Sequence, residues 1–112
     1  MKLAVGSDHL GLALKTTLVD YLKQQTDVEV EVVDHGVFTP EAVDYPDIGL
    51  KVAEAVACGE ADRAILICGT GIGMCITANK VPGIRAALAH DVYSAERARK
   101  SNNAQILTLG AL

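Results

Sequence analysis

The residues best suited to chemistry lie in the segment Cys68-Gly69-Thr70-Gly71-Ile72-Gly73, where a thiol stands directly before a glycine-rich turn. Three glycines in five positions let the backbone approach a ligand closely and direct N–H groups at an anion. A helix is predicted to begin after this turn, and its N-terminus adds positive potential. That potential favours ionisation of the thiol, and a thiolate beside an oxyanion site can move a proton next to a carbonyl. The residues alone also allow Cys68 to be a buried strand residue with no chemical role.

The same segment disfavours a dinucleotide cofactor. A G-x-G-x-x-G pattern would need glycine where Met74 stands, and the glycines follow the third predicted strand rather than the first. The cysteines Cys58, Cys68 and Cys75 have no metal-ligand spacing. We therefore expect neither a cofactor nor a metal.

Polar residues also follow the first predicted strand and precede the second helix. In an open parallel sheet, ligands bind outside the carboxyl ends of the strands, where both groups are expected to lie. Asp8 and Tyr45 are candidates for binding substrate hydroxyls, and His9 for binding phosphate or relaying a proton. Structural explanations stay open, with Asp8 as a helix N-cap beside an exposed His9, and Tyr45 packed on Pro46.

Two more polar pairs, His90-Asp91 and Asn102-Asn103, flank the last predicted helix. Each has a local structural explanation, because Asp91 is a suitable N-cap and the asparagines are suitable C-cap residues. The functional alternatives are a site contribution from His90 and a polar contact from Asn102 to the site of a neighbouring subunit.

These residues depend on strands and helices that alternate along the chain. Strands are predicted over 3–6, 28–33, 64–68, 84–88 and 105–109, with the second near the sheet edge and the third central. Helices are predicted along the stripe Leu10, Leu14, Leu18 and Leu22, after Pro46, around 74–80 and from Asp91 to Lys100. This order predicts one α/β domain over residues 1–112, with a parallel sheet and right-handed crossovers. The fifth strand has no helix after it, so one face of the sheet is expected to be thinly covered.

Composition narrows the classes of function. The chain has 112 residues, of which 50% are hydrophobic and only 4% aromatic, so the core is aliphatic. The net charge of −4 and the lack of a basic run argue against nucleic-acid and anionic-membrane partners. No signal peptide or transmembrane stretch is recognisable, and we expect a cytoplasmic protein.

Five segments together form a family pattern that covers essentially the whole chain. They are Gly6-Ser7-Asp8-His9-x-Gly11, Asp44-Tyr45-Pro46, Ile67 to Gly73, Asn79 to Arg85, and Asp91 to Ala95. The sequence in these segments resembles ribose-5-phosphate isomerase B and the wider family that includes the galactose-6-phosphate isomerase subunits.

The resemblance implies a Rossmann-like three-layer sandwich with a five-stranded parallel sheet, in a homodimer or homotetramer with sites at the dimer interface. It implies a single sugar-phosphate isomerase domain of the pentose phosphate pathway that needs neither metal nor coenzyme. In that family pattern Cys68 is the catalytic base and Thr70 an assisting hydroxyl. The positions matching substrate-binding or enediolate-holding residues are Asp8, His9, Tyr45, Gly69, Gly71, Ile72, Gly73 and, from the partner subunit, Asn102.

Three departures bear on the substrate. Ser101-Asn102-Asn103 stands where members acting on ribose 5-phosphate commonly have His-Asn-Asp, so the ring-opening His is replaced by Ser101. Leu112 stands in place of a phosphate-binding Arg. The family's C-terminal helix and its phosphate-binding arginines lie beyond the end of this chain, and C-terminal truncation of the domain is an expectation from the resemblance.

We therefore predict an aldose–ketose isomerase that acts by cysteine-mediated proton transfer through an enediolate. Conversion of ribose 5-phosphate to ribulose 5-phosphate is the first expectation. The alternatives are a tetrose-phosphate isomerase (erythrulose 4-phosphate and erythrose 4-phosphate) and a non-catalytic sugar-phosphate-binding subunit. His90 is a candidate to replace the missing ring-opening His.

Overall fold

The computed structural model describes residues 1–25 and 29–112, which form five strands and four helices in alternation. In chain order they are β1 (Lys2–Ser7), α1 (Leu12–Gln24), β2 (Glu31–Asp34), α2 (Tyr45–Ala57), β3 (Arg63–Cys68), α3 (Ile72–Asn79), β4 (Ala86–Leu88), α4 (Val92–Lys100) and β5 (Ile106–Gly110). The predicted order of elements is confirmed. The predicted start of the second strand, Val28, lies outside the described residues.

The strands form one parallel sheet in the order β2-β1-β3-β5-β4. The predictions that the second strand lies at an edge and the third in the centre are both confirmed. The register pairs Ser7 with Ile67 and Cys68 with Gly110, so β1, β3 and β5 end at the same edge. The segments that follow these strands therefore meet there, as the sequence predicted.

Helices cover both faces of the sheet, which confirms the predicted three-layer arrangement. On one face, α2 and α3 pack on a core that includes Leu66, Met74 and Ile106. On the other face, α1 lies over β1 and β2, and α4 lies against β4. Between these two helices Leu107 and Leu109 stay partly exposed. The expected thin cover over β5 is thus present in the described part of the chain.

The predicted apolar stripe of the first helix is wrong at its start, and its other leucines, Leu14, Leu18 and Leu22, are partly buried beside the most buried residues of the helix. Leu10 precedes the helix and is 48% exposed, whereas Lys15 and Val19 are the buried residues of α1. A Cβ on Gly11 would lie 2.8 Å from the Ile67 carbonyl oxygen, so the chain touches the sheet edge just before α1. That contact sets where the helix begins, and a leucine repeat alone cannot fix which side of a helix faces the sheet.

The starts of α2 and α4 agree with the predictions from sequence. Pro46 lies in the first turn of α2, where its missing N–H group leaves no hydrogen bond unmade. Asp91 caps α4 by accepting a hydrogen bond from Ser94 N at 2.6 Å. The hydrogen bonds from the Ser94 backbone and side chain lower the pKa of the Asp91 carboxyl group. Within the described ranges, no helix is long and apolar enough to cross a membrane.

Candidate active site

A cleft of about 450 Å³ opens at the carboxyl edge of the sheet, beside the end of β3. It brings together most of the residues that the sequence singled out. Its lining consists of Asp8, Leu10, Tyr45, Cys68, Gly69, Thr70, Ile72, Gly73, Ile76 and Leu112. The predicted convergence of the first strand, the glycine turn and the Tyr45 segment is therefore seen in the structure.

Cys68 is the last residue of β3 and is only 5% exposed, with its thiol at the base of the cleft. The N–H group of Gly71 donates to the Cys68 Sγ atom at 3.1 Å. A thiolate accepts such a bond more strongly than a thiol, because a charged acceptor strengthens it. The N-terminus of α3 lies on the same side and adds its partial positive charge. The Cys68 sulfur is thus held by a backbone amide, next to the N-terminus of a helix.

The glycine turn uses part of its hydrogen-bonding capacity within itself. Thr70 Oγ1 accepts from the Ile72 N–H group at 3.2 Å, as Gly71 N–H donates to the cysteine. By contrast, the N–H groups of Gly69 and Thr70 donate to no other described residue. Of the anion site predicted from the whole segment, the groups that remain available are therefore these two amides and the N-terminus of α3.

The backbone of this turn lies directly against β5. Gly71 has a φ of +80°, and a Cβ there would lie 2.8 Å from the Leu109 carbonyl carbon. A Cβ on Gly110 would lie 2.7 Å from the Thr70 carbonyl oxygen. Leu112 N–H also donates to the Gly69 carbonyl oxygen at 3.0 Å. These contacts leave room only for glycine at both positions and fix the turn on the sheet.

Asp8 lines the cleft, whereas its neighbour His9 is outside the lining, and neither matches its structural alternative. Asp8 is 4% exposed, and its Oδ1 accepts from Gly11 N–H at 3.0 Å, so it closes the turn before α1 rather than capping the helix. His9 is half-buried, and its Nδ1 accepts from Val43 N–H at 3.2 Å. In a neutral ring the proton is then on Nε2, which leaves His9 with a hydrogen-bond donor to offer a substrate.

Tyr45 packs its ring on the first turn of α3. A Cβ on Gly73 would lie 2.5 Å from the Tyr45 Cε1 atom, so only glycine admits the ring there. The side chain remains 39% exposed and lines the cleft. The tyrosine hydroxyl is therefore available beside the cysteine turn, as the sequence predicted.

Asn102 lies away from this cleft. It follows α4 and precedes β5, so it sits at the amino edge of the sheet, whereas Cys68 pairs with Gly110 at the carboxyl edge. Its carbonyl oxygen accepts from Arg85 Nη1 at 3.2 Å, beside the start of β4. The length of β5 separates the two edges by about 13 Å, at ~3.3 Å per residue. Asn102 of one chain therefore cannot complete the cleft of that same chain.

A second cleft of about 570 Å³ adjoins the first and shares Thr70 and Leu112 with it. His90 and Asp91 line it, with His90 Nε2 3.7 Å from Asp91 Oδ2 and the His90 side chain 80% exposed. The sequence offered His90 as a site residue and as a substitute for the missing histidine, and His90 lines the same cleft as Thr70.

Two residues lining the first cleft were not predicted. Leu10 was assigned to the helix, although its position next to Asp8-His9 was a signal that it belongs to the site. Ile76 lies one turn after Ile72, and both are exposed on the side of α3 that faces the cleft. Over residues 1–25 and 29–112, no group of three or more His, Cys, Asp or Glu side chains is arranged to hold a metal ion.

Comparison with known proteins gives consistent matches along the chain. A model of the family described as Ribose/Galactose Isomerase matches residues 3–112. Over 112 residues, the chain is 58% identical to Ribose-5-P isomerase B of Listeria innocua, covering 100% of this chain and 74% of that protein. It is 52% identical to D-erythrulose-4-phosphate isomerase of Pectobacterium atrosepticum, covering 99% of this chain and 72% of that protein.

Among solved structures, the chain is similar to ribose-5-phosphate isomerase B of Clostridium thermocellum. The TM-score is 0.92 at 55% identity, over 98% of this chain and 72% of that one. The resemblance first based on sequence motifs is thus supported by family, sequence and fold.

The contact between the glycine turn and β5 leads to a prediction about Gly71. Gly59 has a similar φ of +85°, but a Cβ there would meet no described atom within 4 Å, so Gly59→Ala isolates the conformational cost. We expect Gly59→Ala to lower the free energy of unfolding by about 1–2 kcal/mol. Gly71→Ala adds the collision with β5, and we expect about 1–3 kcal/mol more. Urea titration of both variants measures the difference, and equal losses would contradict the proposed close contact.

Proposed function

The chain belongs to the ribose/galactose isomerase family, and from that premise we propose that it converts ribose 5-phosphate to ribulose 5-phosphate through an enediolate, with Cys68 as the base. As a family member it is a sugar-phosphate aldose–ketose isomerase. The observation that carries the assignment of Cys68 is its Sγ atom, which accepts from Gly71 N–H inside the cleft shared with Asp8 and Tyr45.

In the first step, the Cys68 thiolate removes the proton from C2 of the open-chain aldose. The electron pair of the C2–H bond becomes the C1–C2 double bond, and the aldehyde oxygen O1 takes the negative charge. The free N–H groups of Gly69 and Thr70 are the donors that this oxyanion would meet, next to the N-terminus of α3. Donors already fixed by the fold stabilise such a charge without having to reorganise.

In the second step, the same thiol returns its proton to C1, and the O2 hydroxyl becomes the ketone. The proton of O2 must move to O1, and we propose the Thr70 hydroxyl as the relay because Thr70 lines the same cleft as Cys68. Asp8, His9 and Tyr45 would hold the remaining hydroxyls and the phosphate. The proton balance closes within the site, so the reaction needs no coenzyme.

The phosphate group needs a cation that the cleft does not hold. Among the residues described, no Lys or Arg lines either cleft. We propose that a second copy of the chain completes the site. The position of Asn102 at the opposite edge supports this, because it can reach a cleft only across an interface. A homodimer, or a homotetramer built from such dimers, is the assembly that we expect.

A tetrose phosphate is the second candidate substrate, favoured by Ser101. Its hydroxyl accepts from Arg97 Nη1 at 3.3 Å and has no acid–base capacity near neutral pH. An erythrose 4-phosphate substrate is open-chain, because its 4-hydroxyl carries the phosphate and cannot close a furanose ring. The 52% identity to D-erythrulose-4-phosphate isomerase supports the same candidate.

The three free cysteines suit a reducing compartment, and the cytoplasm is the location that we propose.

Isotope exchange tests the role of Cys68. In deuterated water with ribose 5-phosphate or erythrose 4-phosphate, we expect solvent deuterium to appear at the carbon beside the carbonyl as product forms. Cys68→Ala should lower that rate by about 10²–10⁴-fold, the contribution of a positioned base. The matched control is Cys75→Ala, since the Cys75 Sγ contacts the Ala86 carbonyl oxygen at 3.5 Å instead of lining the cleft.

The two sugars also separate the candidate functions. Faster exchange of the pentose supports ribose 5-phosphate, and faster exchange of the tetrose supports the alternative. Binding without exchange of either sugar would contradict catalysis and support the non-catalytic sugar-phosphate-binding subunit.

Replacement of His90 tests whether it opens a furanose ring. His90→Gln should slow the conversion of ribose 5-phosphate by about 10²-fold, because a general acid–base group is lost, and leave open-chain erythrose 4-phosphate almost unchanged. Steady-state rates with both sugars measure the contrast. An equal effect on the two sugars would mean that His90 acts on a group that both share, such as the phosphate.

Mixing two inactive variants tests the shared site. Cys68→Ala and Asn102→Ala are each expected to be nearly inactive. When equal amounts are unfolded and refolded together, half of the dimers pair one copy of each, and one of their two sites has both residues intact. Activity should therefore recover to about a quarter of the wild-type value. No recovery, with mixed dimers shown by mass spectrometry, would mean that Asn102 does not act across the interface.

A further inference from the structure

A buried lysine on α1 is the one charged group of the described core that the proposed reaction leaves unexplained. Lys15 is 1% exposed, and its Nζ lies 2.7 Å from Asp34 Oδ1 at the end of β2. The same ammonium donates to the Val37 carbonyl oxygen at 2.5 Å and lies 4.6 Å from the centre of the Phe38 ring. All three partners belong to one stretch of chain, from the last residue of β2 into the loop that leads to α2.

Packing alone does not call for a lysine at this position. It shares the inner side of α1 with Val19, and a leucine there would bury apolar surface without removing a charge from water. A buried ion pair is weak evidence for a gain in stability, since hydrophobic replacement of both partners is often neutral or stabilising. The Lys15–Asp34 pair is better explained by the segment of chain that it holds in position.

The β2–α2 loop, residues 35–44, connects this ion pair to the cleft. Ser7 N–H donates to the Gly36 carbonyl oxygen at 2.7 Å, and Val37 N–H donates to the Ser7 carbonyl oxygen at 2.9 Å, directly before Asp8. Further along the loop, Val43 N–H donates to His9 Nδ1. The loop then ends at Tyr45, whose ring lies on the first turn of α3.

We propose that Lys15 is a positioning residue, which anchors the β2–α2 loop and thereby holds His9 and Tyr45 in the geometry that binds substrate. The ammonium takes one oxygen of Asp34 and the carbonyl of Val37, so the loop is fixed where it leaves β2. Asp34 Oδ1 also accepts from Gly36 N–H at 2.9 Å, which ties the turn to the same group. The expected effect on substrate binding rests on the function proposed above, whereas the expected effect on the His9 tautomer does not.

Two variants and a matched control test the anchor. Lys15→Met keeps the length of the side chain and removes its charge, and Lys15→Met/Asp34→Leu removes both charges so that neither is left buried alone. Lys23→Met is the control, because Lys23 is an exposed lysine of the same helix. We expect KM to rise about tenfold in both Lys15 variants with a smaller change in kcat, and to stay at the wild-type value in Lys23→Met.

The ring of His9 provides a readout that does not require turnover. In the wild type, ¹⁵N NMR of the neutral imidazole should show Nδ1 as the acceptor and the proton on Nε2. When the loop is released, both tautomers should appear. The double variant covers the case in which Lys15→Met fails to fold, because its interior holds no unpaired charge.

A folded double variant with wild-type KM and a single His9 tautomer would overturn the proposal. Loss of stability with an unchanged tautomer and KM would also overturn it, because that pattern is what a purely structural ion pair gives. If neither sugar is a substrate of the wild type, the proposed function fails, and the His9 tautomer still decides whether Lys15 anchors the loop.

Discussion

The contact between the glycine turn after β3 and the backbone of β5 is the constraint on which the rest of the site depends. Gly71 and Gly110 approach the opposing main chain so closely that any Cβ would collide with it. This approach brings the Gly71 N–H group to Cys68 Sγ, while the N–H groups of Gly69 and Thr70, two residues that line the cleft, donate to no described residue. The proposed base and the proposed oxyanion donors are thus positioned by the same backbone contact.

The charge distribution of the described cleft is the main reason for our proposal that a second copy of the chain completes the site. The lining supplies a thiol, a carboxylate, hydroxyls and backbone amides, which suit the reacting carbons and the sugar hydroxyls. A phosphate dianion would have no cationic partner there, since the lining offers the Asp8 carboxyl group and apolar side chains such as Leu112. Lys15 does not neutralise the phosphate, because its ammonium group is buried and donates to Asp34 Oδ1 and to the Val37 carbonyl oxygen.

Local patterns were sufficient to predict the element order, the parallel sheet and the convergence of Asp8, Tyr45 and Cys68, because each depends on spacing and on the edge rule for parallel sheets. Properties that depend on contacts between distant segments were not predictable. The leucine repeat near the start did not show that Lys15 would face the sheet, since its partner Asp34 lies on another element. The sequence of the turn also did not show that Thr70 Oγ1 would accept a hydrogen bond from the Ile72 N–H group, one of the amides expected to bind an anion.

In the proposed mechanism, proton transfer and the choice of substrate depend on different parts of the molecule. Proton transfer involves only the first two carbons, which pentose and tetrose phosphates share, so the Cys68 turn serves either sugar without change. Discrimination must come from groups that act on the ring or on the far end of the sugar. The groups that we propose for this role are His90 on the adjoining cleft and, across the proposed interface, the segment that begins at Ser101. A change of serine to histidine there would alter ring opening in the partner's cleft while leaving the base and its oxyanion donors untouched, so substrate can change within this fold without a change in mechanism.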